Sequence, residues 1–140
     1  MMPTILAALR KALNDDSALG TLLGGKRVYL GWLTEKMTIP CVTITENSER
    51  STPRPCHASG RHRDNSSVVQ IDIWIDRTDD EPPSTVEDVE TIVSRIDELL
   101  FVTGVTNTRG WSRVSSSGPH QEDDLLHKAL RYEFAYSVKD

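Results

Sequence analysis

The stretch Val68-Val69-Gln70-Ile71-Asp72-Ile73-Trp74-Ile75-Asp76 places Val69, Ile71, Ile73 and Ile75 on one face of an extended chain. Gln70, Asp72, Trp74 and Asp76 fall on the other. Period-two alternation in β-branched residues predicts a strand with one face packed on an apolar layer. The second face is left to water or a partner. The covering layer is predicted a few residues downstream. Val86, Val89, Ile92, Val93, Ile96, Leu99 and Leu100 recur at helical spacing within Ser84–Leu100, and Ser84-Thr85-Val86-Glu87 reads as a capping box at its start.

The rest of the chain fits around this pair. Ile5, Leu6, Leu9, Ala12 and Leu13 predict a helix over about Pro3 to Asn14. Asp16 or Ser17 caps a short second helix through Leu23, stopped by Gly24-Gly25. Strands are predicted at 27–32, at Cys41–Thr45, over about Thr103–Ser115, and at Leu126–Val138, where Lys128 interrupts an otherwise apolar face. Ser116–Asp124 reads as a polar turn. The expected fold class is α+β. An antiparallel sheet of about five strands carries helices on one face, in the order α-α-β-β-β-α-β-β. Residues 1–140 form one domain by length, with a long protruding loop at about 46–67.

The apolar fraction of 37% is lean, which hints at burial completed in an oligomer. A formal net charge of −5 disfavours a sequence-specific nucleic-acid binder, because phosphate neutralisation needs clustered cations. No apolar run reaches membrane-spanning length, and the first residues lack the pattern of a secretory signal, so synthesis in the cytoplasm is expected.

Candidate chemistry is sparse. Cys41, Cys56, His57 and His62 lack the paired ligand spacing of a structural zinc site. His120, Glu122 and His127 read as surface turn residues with no nucleophile or oxyanion donor beside them. Gly24-Gly25-Lys26 follows no strand and precedes no helix, unlike a phosphate loop. No catalytic, cofactor-binding or metal residues are assigned, and no cofactor is expected. What remains is charge. Arg50, Arg54, Arg61 and Arg63 make the long loop basic, while Glu87, Asp88, Glu90, Asp97 and Glu98 make the third helix acidic. Asp97 and Glu98 oppose the helix dipole at the end where they sit. These nine residues are the expected protein-interface set, the basic tip reaching either the acidic surface of a neighbouring copy or a different partner protein.

Five stretches in order carry a family resemblance. They are Ile5-Leu6-Ala7-Ala8-Leu9; Asp16-Ser17-Ala18-Leu19 leading to Gly25-Lys26-Arg27-Val28-Tyr29; Ile39-Pro40-Cys41-Val42-Thr43-Ile44; Val69-Gln70-Ile71-Asp72-Ile73-Trp74; and His127-Lys128-Ala129-Leu130-Arg131-Tyr132. Together they resemble the tail-completion proteins of long-tailed bacteriophages, also called tail terminators or head-to-tail joining proteins. The resemblance implies a non-enzymatic virion protein of the tail or neck. It forms a homo-oligomeric ring, typically a hexamer, that caps the tail tube protein and docks to the head connector protein, with DNA passing through and no membrane partner. Another neck or minor tail protein is the nearest alternative. A small-molecule enzyme or binding module is the alternative of a different class.

Overall fold

Nine segments of regular structure follow one another in the computed structural model, which describes residues 2–51, 62–78 and 81–139. Two helices come first, α1 (Met2–Asn14) and α2 (Ser17–Leu23), then strands β1 (Val28–Leu30), β2 (Cys41–Ser51) and β3 (His62–Asp76). Helix α3 (Val86–Glu98) runs on into a π-helical turn, Leu99–Thr103, before β4 (Thr108–Glu122) and β5 (Leu125–Lys139). The sheet order is β1-β2-β3-β5-β4.

The class is α+β, but the sheet is mixed, which corrects the all-antiparallel expectation. β1 pairs parallel to β2, with Val28, Tyr29 and Leu30 opposite Val42, Thr43 and Ile44. A parallel pair needs a return crossover, and most crossovers need a helix. β1 is three residues long, so the return spans only about 10 Å. The segment from Gly31 to Pro40 covers that without a helix. Tyr29 pairs with Thr43 on the face away from the helices, and its hydroxyl accepts a hydrogen bond from the Thr38 amide at 3.4 Å. The returning segment therefore folds across that second face.

The core lies between the helices and the other face. Val28, Val42, Ile44, Val69, Ile71, Ile73, Ile75, Leu130, Tyr132, Phe134 and Tyr136 meet Leu9, Leu13, Leu19, Leu23, Val89, Ile92 and Ile96, all essentially inaccessible. Lys128 shares this parity and is buried; its ammonium lies 3.0 Å from the exposed Glu90 carboxylate and donates to the Gly118 carbonyl. A lysine stem can cover apolar surface when its charge reaches an acid at the rim.

Several boundaries moved. Helix α3 starts one residue later than the Ser84/Glu87 box predicts. Thr85 is the N-cap, its hydroxyl accepting from the Asp88 amide while Asp88 accepts from the Thr85 amide. Val86 becomes the first helical residue and is exposed. The π-helical turn carries the helix past Leu100 to Thr103, the residue expected to open the fourth strand, and β4 runs instead from Thr108 through the expected turn to Glu122. Only Asp123 and Asp124 separate it from β5. β2 and β3 likewise extend into the expected loop, to Ser51 and from His62.

Two polar contacts lock α1 and α2 to this frame. The Asn14 side chain accepts from the Val28 amide at 3.0 Å and donates to its carbonyl at 3.2 Å, acting as a strand partner for β1. Asp16 caps α2 through the Leu19 amide and takes two hydrogen bonds from Arg95 of α3, at 2.8 and 2.5 Å. The Arg95 guanidinium is the main cause holding the Asp16 carboxyl below its ordinary range, with the Leu19 amide adding to it. A depressed carboxyl contributes stability above its unfolded value and loses it as pH falls through the folded one, here below about 4. Asp16→Ala removes a cap and two hydrogen bonds from the half-buried Arg95 guanidinium, which keeps only Glu98 at 3.1 Å. The expected loss is about 2–4 kcal/mol by denaturant unfolding at pH 7. The difference from wild type should shrink below about pH 4.

Candidate functional site

The acids expected to form a free surface on α3 mostly have partners within the chain. Asp88 is committed to the cap, taking hydrogen bonds from the Ser84 and Thr85 amides, and the Ser84 amide is the largest cause lowering its carboxyl. Glu90 pairs with Lys128 at 3.0 Å and Glu98 with Arg95 at 3.1 Å. Asp97 accepts from the Tyr132 hydroxyl at 2.6 Å and sits 3.2 Å from Arg113. That last network explains why an acid is tolerated near the end of α3. A buried phenol and a β4 cation hold it, and burial first, then this bond, pushes the Tyr132 hydroxyl well above its ordinary range. Glu87 is exposed in the first helical turn. Among the basic set, Arg50 and Arg63 lie on β2 and β3 opposite Ser66 and Val138, while Arg54 and Arg61 lie outside the described residues.

The groups weighed for chemistry are scattered. Cys41 is buried in β2, and burial pushes its thiol up to about 11. Cys56 and His57 lie outside the described residues, and His62 opens β3. Among the described residues, no three His, Cys, Asp or Glu converge as a metal site, and no helix is long and apolar enough to cross a membrane.

His127 is not the surface turn residue expected from sequence. It lies on β5 opposite Trp74, with the rings stacked at 3.8 Å and parallel within 1°. One ring nitrogen, Nε2, is 3.3 Å from the inaccessible Asp72 carboxylate; the other is 3.7 Å from Glu122. Trp74 Nε1 donates to Thr43 Oγ1 at 3.1 Å, and Gln70 donates to both Asp72 oxygens. His120 pairs across the strands with His127 and hydrogen-bonds the Ser117 hydroxyl at 2.9 Å. The sheet's second face thus carries a packed polar floor.

Alternation alone missed the exposed apolar groups. Trp32 follows β1 and is 67% exposed; Phe101 and Val102, on the π-helical turn, are 47% and 79% exposed. Leu30 and Val114 are also exposed, on the two edge strands.

The sequence profile of the family described as tail completion protein gp17 matches residues 7–136. The chain belongs to that family. It is therefore a structural, non-enzymatic phage virion protein. Two solved structures share the fold of this tail completion protein. One is a chain from the virion of a native gene transfer agent particle, 12% identical, with a TM-score of 0.66, covering 94% of this chain and 93% of that one. The second is 14% identical, with a TM-score of 0.54 and coverage of 100% and 98%. No curated protein matches.

Proposed function

We propose that this tail completion protein assembles into a homo-oligomeric ring, a hexamer, that caps the tail tube and joins the finished tail to the head connector, leaving an axial passage for DNA. The family match across 7–136 carries the reading. Three features support it. The lean apolar content fits a subunit that completes its burial by assembly. Buried polar groups serve packing rather than turnover. β2 and β3 stay paired past the residues that face the helices, as far as Ser51 and Asn65, and Arg54 and Arg61 fall in the sequence between the two strands.

In this reading the far ends of β2 and β3, with the sequence between them, are the arm that docks to the connector, and its arginines steer the encounter. Steering by a charged patch changes association rates about 10- to 1,000-fold and weakens with salt. Arg61→Glu with Arg63→Glu is expected to lower the yield of joined particles by on the order of tenfold or more, with tail length and subunit folding unchanged. Free heads and normal-length tails in electron micrographs would be the signature. Normal yields of infectious particles would remove the arm from docking. Overlong tails with normal joining would instead place the charge in tube capping.

A further inference from the structure

Resting on the ring reading, we infer that the contact between neighbouring subunits is head-to-tail, made by the two opposite flanks of the sheet. One flank carries β1 and α1, the other β4, α3 and the π-helical turn. The occupant of each flank is a second copy of this chain.

Sheet order sets the geometry. β1 and β4 are the two edges, so residues at β1 and at β4 face opposite directions along the sheet. The exposed large apolar side chains divide between these edges. Leu30 ends the β1 edge strand and Trp32 follows it by two residues, while Phe101 and Val102 lie on the π-helical turn at the far flank, where Phe101 packs edge-on to Tyr132. Two different apolar patches on opposite sides of one subunit suit a heterologous contact, the kind that closes rings.

Charge makes the two flanks complementary. From Thr4 to Arg27 the chain carries four cations, Arg10, Lys11, Lys26 and Arg27, against two acids, and one of those, Asp16, is tied to Arg95. Arg10, Lys11, Asn14 and Lys26 line an open cleft of about 330 Å³ together with Asp15, which pairs with Lys11 and lies 3.9 Å from Lys26, so three cations there face one acid. From Glu81 to Glu122, which takes in β4, there are seven acids and three cations, Arg95, Arg109 and Arg113. Some of these acids pair internally, yet Glu98 and Glu90 remain 61% and 52% exposed, so the flank keeps its sign. Like flanks repel and unlike flanks attract, which selects head-to-tail over face-to-face pairing. The apolar pairs supply the affinity, and the charges fix orientation.

Purified Trp32→Asp and Val102→Asp chains test this, alone and mixed. Both side chains are exposed, and unchanged melting confirms that each variant folds. Wild type should associate with rising concentration, less so at high salt. Each variant alone should lose at least on the order of 30-fold in self-association. Equimolar mixing should restore association only as far as a one-to-one dimer, because each variant retains the flank that the other has lost. A mixture that stays monomeric, a wild type monomeric at every concentration, or unimpaired variants would each overturn the assignment. Trials of both variants in tail assembly separate the two claims. A one-to-one dimer in the mixture, with tails assembled normally by each variant, would uphold the contact and refute the ring reading. Capping lost with wild-type chain absent, while the mixture fails to pair, would refute only the contact.

Discussion

Replacing Ile92 with Asp is expected to leave a chain without a cooperative melting transition. Ile92 is fully inaccessible in the centre of α3, on the stripe with Val89 and Ile96 that meets β3 and β5. The substitution removes packing on the scale of a large-to-small core change, about 2–5 kcal/mol. It also buries a carboxylate within the apolar core cluster, at a cost of several kcal/mol even after its protonation shifts. A domain of this size holds about 5–15 kcal/mol in all, so the two losses together approach or exceed it. Circular dichroism and urea titration check this. Ser94→Asp is the control, on the exposed side of the same helix, and should change stability by about 0.5 kcal/mol or less. A folded Ile92→Asp chain with a melting temperature near wild type would mean that α3 does not cover the sheet.

That result would test the part of the fold most legible in the sequence. Strands and helices were readable where one side of an element meets the core, because only there does burial impose a period. The one-residue shift of the α3 cap shows the limit. Ser84 with Glu87 and Thr85 with Asp88 both offer a hydroxyl three residues before an acid. The choice falls to the second pair, whose Asp88 takes both the Ser84 and Thr85 amides. The polar ends of β2, β3 and β4 went unread for the converse reason. Ser112 and Ser115–Gly118 are exposed, so their strand conformation comes from hydrogen bonds to β5 rather than from a side-chain pattern. The parallel β1 depends on a return path, which a three-residue apolar run cannot announce. Among the interface candidates, sequence identified the charges but not their partners. Asp97 resembled a free acid because Tyr132 and Arg113 lie 35 and 16 residues away in the chain.

The sheet's second face yields the other large effect. Alternation left Trp74 on a face open to water or a partner, yet only 8% of it is exposed, and Thr43 and Asp72 beside it are inaccessible. Trp74 is what excludes water there: its ring lies flat on His127, and its indole nitrogen holds Thr43. Trp74→Ala is therefore expected to cost about 3–5 kcal/mol, the range for truncating a packed tryptophan. By the usual scaling for domains near this length, the melting temperature should fall by roughly 10–20 °C. Trp74→Phe separates the contributions. A phenyl ring keeps most of a stack worth about 0.5–1.5 kcal/mol but cannot donate to Thr43. It leaves a buried hydroxyl without that bond, at about 1–3 kcal/mol. Adding Thr43→Val to Trp74→Phe should recover part of that loss, because two apolar groups replace a broken pair. If this face were merely solvated, Trp74→Ala would melt within about 2 °C of wild type, a change expected only for exposed positions. An intermediate loss that Thr43→Val leaves untouched would assign the packing to the Trp74–His127 stack and none of it to the hydrogen bond.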